Sequence, residues 1–374
     1  MALRIALAWL ALCVLPLFTV EASGDPSPLA QAGSPRIWYL QGDELWVMSL
    51  DGGSPLRIAA GVRARPAGCE SFFVSPDRRR VAFQLNDGQL IVANADGGEA
   101  RNIAAGQIRS VAWSRDSQRL VYDLNDDLYV ASASGEGSEP LATGGGRFFY
   151  PAFAPDGQHL AFLEAPGGNV FNVNVIRVSS GEWRSLGTTA PSPFAPDSLC
   201  ASVVKWSPDS TRLLVDYGQP VFVFYLAGGT PTGIGGQGNA DSHFWSPAGN
   251  LLAFKEGDGS LWLANPDGSG QRPLVAEPIR HLAWNPGSLP LIAYSTTANG
   301  LGDLWVVNVQ NGQKLQLTGG DTSRELTPAW TPDGGAIIFE RRGLDDEEQG
   351  IWRVSVDGSG LTQLSGAGAA LQVR

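Results

Sequence analysis

Trp206-Ser207-Pro208-Asp209 is followed 39 residues later by Trp245-Ser246-Pro247-Ala248, and 39 later again by Trp284-Asn285-Pro286-Gly287. An aromatic residue, a small polar residue, proline and a turn former mark a strand that ends in a tight hairpin. Proline presets φ for the first central turn position. The same punctuation stands at Val74-Ser75-Pro76-Asp77, Trp113-Ser114-Arg115-Asp116, Phe153-Ala154-Pro155-Asp156 and Trp330-Thr331-Pro332-Asp333. Successive anchors are 39, 40, 53, 39, 39 and 46 residues apart.

Between anchors the text repeats too. An apolar triplet follows each turn, as in Val81-Ala82-Phe83, Leu160-Ala161-Phe162, Leu252-Ala253-Phe254 and Ile337-Ile338-Phe339. A second apolar stretch comes next, such as Leu261-Trp262-Leu263 or Leu304-Trp305-Val306, then a Gly-rich turn such as Asp96-Gly97. Four short strands (A to D) in a period near 40 are the signature of propeller blades. The 47 Gly and 25 Pro suit such a fold. No stretch has a helical period.

The ends set the blade count. Ile37-Trp38-Tyr39, Leu45-Trp46-Val47 and Leu56-Arg57-Ile58 supply strands B, C and D with no strand A before them. Leu371-Gln372-Val373 supplies one spare strand at the other end. Pairing the two predicts an all-β, eight-bladed propeller over residues 37–374, closed by its C-terminal strand, which removes the open edges. Residues 1–22 read as a secretory signal: Arg4, the apolar run Ile5–Val20, and Val20-Glu21-Ala22 at the cleavage position. Residues 23–36 read as a Ser, Pro, Gly and Ala linker. The chain is therefore expected to be exported, periplasmic or extracellular, or anchored if the segment is retained.

The turn motifs resemble those of TolB-like, WD-repeat-like propellers, found in TolB and in the propeller caps of prolyl oligopeptidases. The resemblance covers residues 37–374 and implies fold rather than function. TolB carries an N-terminal domain and fewer blades, and prolyl oligopeptidases carry a hydrolase domain with a G-x-S-x-G turn; neither feature is read here.

Charge narrows the partners. Lys and Arg number 26 against 37 Asp and Glu, a net charge of −11, with no basic run longer than Arg78-Arg79-Arg80. Phosphate neutralisation needs the opposite balance, so nucleic acid is not expected. No G-x-x-x-x-G-K-[ST], H-E-x-x-H or paired C-x-x-C occurs, and the chain has three histidines. No cofactor and no catalytic residue is expected; a protein, peptide or glycan is the expected partner of a monomeric scaffold. The alternative is a propeller enzyme using polar residues at the channel mouth.

Candidate binding residues come from two places. Four positions before four of the seven anchors stand Glu70, Arg109, Asp241 and Arg280 in neighbouring pairs, with His243 and His281 close by. They read either as a charged ring gripping a polar ligand or as ion pairs stitching blades together. His243, His281 and Asp241 fall short of a defined metal set. The second place is the face bearing the D–A and B–C connections. These lengthen at 62–71, 187–201, 164–172, 295–303 and 341–350, while the opposite face keeps minimal turns. Scaffolds carry function on elaborated loops. In the last of these, Arg341 and Arg342 stand beside Asp345 and Asp346. Cys69 and Cys200 are expected to lie three blades apart, so a disulfide between them is not expected.

Overall fold

A computed structural model of the chain describes residues 34–65, 70–144, 146–167, 170–189, 204–216, 221–235, 243–297, 302–320, 323–343 and 347–374. The described residues contain strands and no helix, and they form eight four-stranded antiparallel sheets. Blade 2 shows the plan: Phe72–Val74, Arg80–Gln84, Gln89–Asn94 and Arg101–Ala105 run inner to outer as strands A to D. Blades 3 to 8 repeat it, with A strands Val111–Trp113, Arg147–Phe153, Val204–Trp206, His243–Trp245, Ile279–Trp284 and Ser323–Trp330.

Blade 1 is composite, as the ends of the sequence predict. Its B strand, Arg36–Gln41, pairs antiparallel with Ala369–Val373, placing Ile37 opposite Val373 and Trp38 opposite Gln372. Reciprocal bonds lock the junction: Arg36 N–H donates to Arg374 O at 2.8 Å and Arg374 N–H to Arg36 O at 3.1 Å. Ile37, Tyr39 and Met48 pack on Ile338 and Ile351 of blade 8, which seals the ring.

Burial follows from the stacking of blades. Strand B is sandwiched by neighbours on both faces, so Val81, Ala82 and Phe83 are all buried rather than alternating. Strand D faces solvent at the rim, and in blade 7 Lys314–Gln316 is exposed throughout. Each deeply buried Val, Leu or Phe contributes roughly 1.5–3 kcal/mol by burial. The core is therefore spread along the inter-blade seams.

The anchor aromatics do a second job. Trp113 Nε1–H donates to Phe73 O at 2.9 Å, Trp206 to Ala152 O at 2.9 Å, Trp245 to Lys205 O at 3.0 Å and Trp330 to Ala283 O at 2.9 Å. Each indole reaches a carbonyl of the inner strand of the preceding blade and ties the two blades together. Trp284 makes the same reach to Phe244 O at 3.4 Å.

Candidate binding site

The alternation of strands puts A–B and C–D turns on one face of the ring, and B–C and D–A connections on the other. The two faces use their polar groups differently. On the first face the Ser-Pro-Asp turns are closed on themselves. Ser75 Oγ–H donates to Asp77 Oδ1 at 2.6 Å, Asp77 Oδ1 also accepts Arg79 N–H at 3.0 Å, and Ser75 Oγ accepts Arg80 N–H at 2.9 Å. The third turn residue takes φ 64° at Arg78, 58° at Ser117 and 60° at Ser210. Glycine holds that place at Gly157, Gly249 and Gly334. Neighbouring turns are then tied together: Asp77 N–H donates to Ser117 Oγ and Asp156 N–H to Ser210 Oγ, both at 2.9 Å. Ser114 draws Asp116 below its ordinary pKa, and Thr331 does the same to Asp333.

Under the opposite face lies a set of buried charges at the ends of strands A and B. Asp123, fully buried, follows the strand B triplet of blade 3 and accepts Arg109 N–H at 3.0 Å and Ser110 N–H at 2.7 Å. Arg109 bridges Asp123 at 3.4 Å and Asp126 at 3.0 Å, and Arg147 of blade 4 meets Asp126 at 2.9 Å. The Phe149 ring sits against both guanidiniums, at 5.3 and 5.2 Å. Burial pushes the Asp123 carboxyl up, against the pull of the Ser110 and Arg109 N–H groups.

A second cluster joins blades 5 and 6. Asp216 Oδ2 lies 3.4 Å from Lys205 Nζ, and Asp216 Oδ1 lies 3.4 Å from His243 Nδ1. His243 is fully buried, stacks on Phe254 at 5.3 Å and places Nε2 2.6 Å from Gly235 O. A third cluster belongs to blade 8. Arg341 Nη2 meets the buried Glu325 at 2.8 Å and its guanidinium lies 4.2 Å over Trp352, while Arg342 meets Glu340 at 2.5 Å.

These positions correct parts of the sequence reading. Arg109 is taken up by Asp123 and Asp126 of its own blade, and Glu70 faces Arg374 at 3.8 Å. Residues 341–350 are largely not a loop. Strands Ala336–Gly343 and Glu348–Ser355 extend the blade 8 hairpin through it, with Arg342 opposite Glu348. Gly350 enables this: at φ 86° a Cβ would stand 1.8 Å from Ser365 O. His281 accepts Thr327 N–H at 3.4 Å on Nδ1, and Lys255 Nζ donates to Arg280 O at 3.2 Å. Asp241, Asp345, Asp346, Cys69 and Cys200 lie outside the described residues, as do residues 1–33. Among the described residues no three His, Cys, Asp or Glu side chains converge on a metal-sized gap.

Sequence reasoning missed the carboxylates Asp123, Asp216, Glu325 and Glu340. A signal was there for three of them. Asp123, Asp216 and Glu340 each occupy the position directly after the strand B triplet, where Gln84 and Ser295 also sit buried.

No family model matches the chain. In sequence it is similar to Tricorn protease homolog 1 of Streptomyces coelicolor, at 28% identity over 200 aligned positions. That alignment covers 43% of this chain and 18% of the relative, so the chain spans less than a fifth of that protein's length. In structure it is similar to dihydro-heme d1 dehydrogenase NirN, with a TM-score of 0.58, 18% identity, and 90% of this chain and 76% of that one covered. It is also similar to oligogalacturonate lyase from Vibrio parahaemolyticus, with a TM-score of 0.52, 13% identity, and 82% and 93% covered. At these identities the likeness is one of fold, and the fold implied by the turn motifs is the one found.

Proposed function

We propose that the chain is an exported, non-catalytic scaffold that binds a protein, peptide or glycan partner in the cell envelope or outside the cell. Binding uses the face of the B–C and D–A connections. One observation carries this reading: the described turns of the other face are short and consumed in their own hydrogen bonds, whereas the stretches that the sequence lengthens at 62–71, 164–172, 187–201 and 295–303 all belong to B–C and D–A connections. That side rests on a floor of buried ion pairs, which gives the connections above it a rigid base. Of the polar side chains that the enzyme alternative would draw on, Glu70, Asp241, His243 and His281, the buried His243 is engaged with Asp216 and Gly235, and His281 accepts Thr327 N–H.

Export is inferred from the apolar run Ile5–Val20 behind Arg4. The test of binding is affinity capture from an envelope extract with two charge-reversed chains. Reversing Asp345, Asp346, Glu347 and Glu348 to Lys should abolish capture of a saturable partner. Reversing the exposed Glu99, Glu136 and Glu182 of the C–D turns should leave it intact, and the opposite result would overturn the face assignment. The turn aspartates are unsuitable for this control because they hold the fold.

A further inference from the structure

The central channel is not filled at the end that opens on the A–B turns. A cavity of about 470 Å³ lies there between blades 7, 8, 1, 2 and 3, within the size of small-ligand sites, roughly 300–1,000 Å³. Eight inner strands arranged in a ring cannot meet at the axis with side chains of ordinary size, so the space is built into the blade number. Its mouth is rimmed by the turn prolines Pro76, Pro286 and Pro332. Their fixed φ keeps the opening rigid, which lowers the ordering cost of binding.

The walls are hydrocarbon and aromatic. Phe73, Val111, Trp113 and Trp330 line them, and the indole N–H groups of both tryptophans are spent on blade carbonyls. They therefore offer no donor, and at 9% and 6% exposure only a small part of each ring faces the cavity. The guanidiniums of Arg78 and Arg374 and the side-chain carboxylate of Glu70 stand among the same residues. The Glu70–Arg374 pair is long, at 3.8 Å, with the arginine side chain 56% exposed. Such a pair is easily exchanged for a better-placed anion. Gln372 adds a third element. Its Nε2–H donates to Phe72 O at 2.9 Å, while its Oε1 is buried and meets no donor among the described residues. A buried acceptor in that state gains from a ligand that brings one.

We propose that this half of the channel is a second binding site, on the face opposite the partner-binding one, for a small aromatic acid. Its ring lies along Trp113 and Trp330, its acid group pairs with Arg374 and Arg78, and a hydroxyl or amino group donates to Gln372 Oε1. The site is independent of the scaffold function and stands or falls without it.

The test is a titration of the folded chain with two dyes of matched shape, 8-anilinonaphthalene-1-sulfonate and its uncharged counterpart N-phenyl-1-naphthylamine. The anionic dye should saturate one site per chain and bind about tenfold more tightly than the neutral one. Arg374→Gln and Arg78→Gln should each weaken the anionic dye about fivefold and leave the neutral dye unchanged. Val111→Phe, which fills the cavity, should remove both. Should that variant not fold, the two arginine variants decide alone. Trp183→Ala is the control for surface adsorption, since Trp183 is exposed on an outer strand of blade 4. Equal affinity for both dyes, indifference to the arginine variants, many weak sites, or loss of binding with Trp183→Ala would each overturn the proposal.

Discussion

The indole N–H of Trp113 donates to the backbone carbonyl of Phe73, one blade back, at 2.9 Å. The same bond recurs from Trp206 to Ala152, from Trp245 to Lys205 and from Trp330 to Ala283. It explains why the anchor is so often tryptophan rather than phenylalanine. Phe73 lies opposite Ala82 of its own strand B, so the indole brings its carbonyl a second donor, from the next blade, and phenylalanine cannot supply that inter-blade bond.

Trp113→Phe keeps most of the apolar volume and removes the donor. It should lower stability by about 0.5–1.5 kcal/mol, read as a shift in the denaturant midpoint with unchanged slope. Trp183→Phe, on an exposed outer strand, should change stability by less than about 0.5 kcal/mol. Equal shifts for the two would mean that the indole bond contributes nothing.

Deleting residues 369–374 removes strand A of blade 1 and leaves Arg36–Gln41 with an open edge. The melting temperature should fall sharply and the truncated chain should aggregate. Removing six linker residues from Ser23 onward should leave the melting temperature unchanged. Calorimetry on the two truncations measures this.

Asp123→Ala should be among the more damaging single changes, costing about 2–3 kcal/mol, because it takes one of two carboxylates from the buried Arg109 guanidinium and leaves Asp126 alone to hold it. It also leaves the Arg109 and Ser110 N–H groups without their acceptor. Asp77→Ala, in an exposed turn, should cost about 1 kcal/mol. Urea denaturation separates the two.

The His281 imidazole is pushed down to about 4 by its burial and by the nearby Lys255 and Arg280 charges, from an ordinary value of 6.5. The folded state therefore binds a proton less readily than the unfolded one. Stability from this group is complete above pH 6.5 and is lost as pH falls from 6.5 towards 4, by about 3 kcal/mol at most. His281→Gln retains an acceptor for Thr327 N–H and should flatten that part of the profile. Unfolding free energies across pH 7 to 4 check it. A parallel decline in both proteins would contradict the assignment.

The fold was legible because turn chemistry is local. Proline and aspartate after Trp206 or Trp330 announce a hairpin wherever the chain later places it. Counting strands at the two ends was enough to pair the C-terminal strand with the first blade, though not to set Val373 opposite Ile37. Partnerships between charges were less legible, because they depend on which way a bulged strand turns its side chains. Glu70 and Arg109 hold matching positions in adjacent blades. The register of Arg109 against the end of its own strand B nonetheless brings it to Asp123. Gly343 and Gly350 look like loop residues in a sequence, yet Gly350 sits inside a strand at a close backbone approach. Thr327 and Tyr150, each before a proline, take φ 47° and 52° within bulged A strands. Nothing in residue order alone announces a β-branched or bulky residue in that conformation.

The central claim is that a partner docks on the face of the B–C and D–A connections. A photo-crosslinking amino acid placed in the cell at Gly167, Thr297 or Glu347 samples that face, and one placed at Glu136, Glu182 or Gln310 samples the other. The account predicts a discrete, saturable adduct from the first set and none from the second. An adduct confined to the second set, or none from either under conditions where the chain is folded and exported, would contradict it.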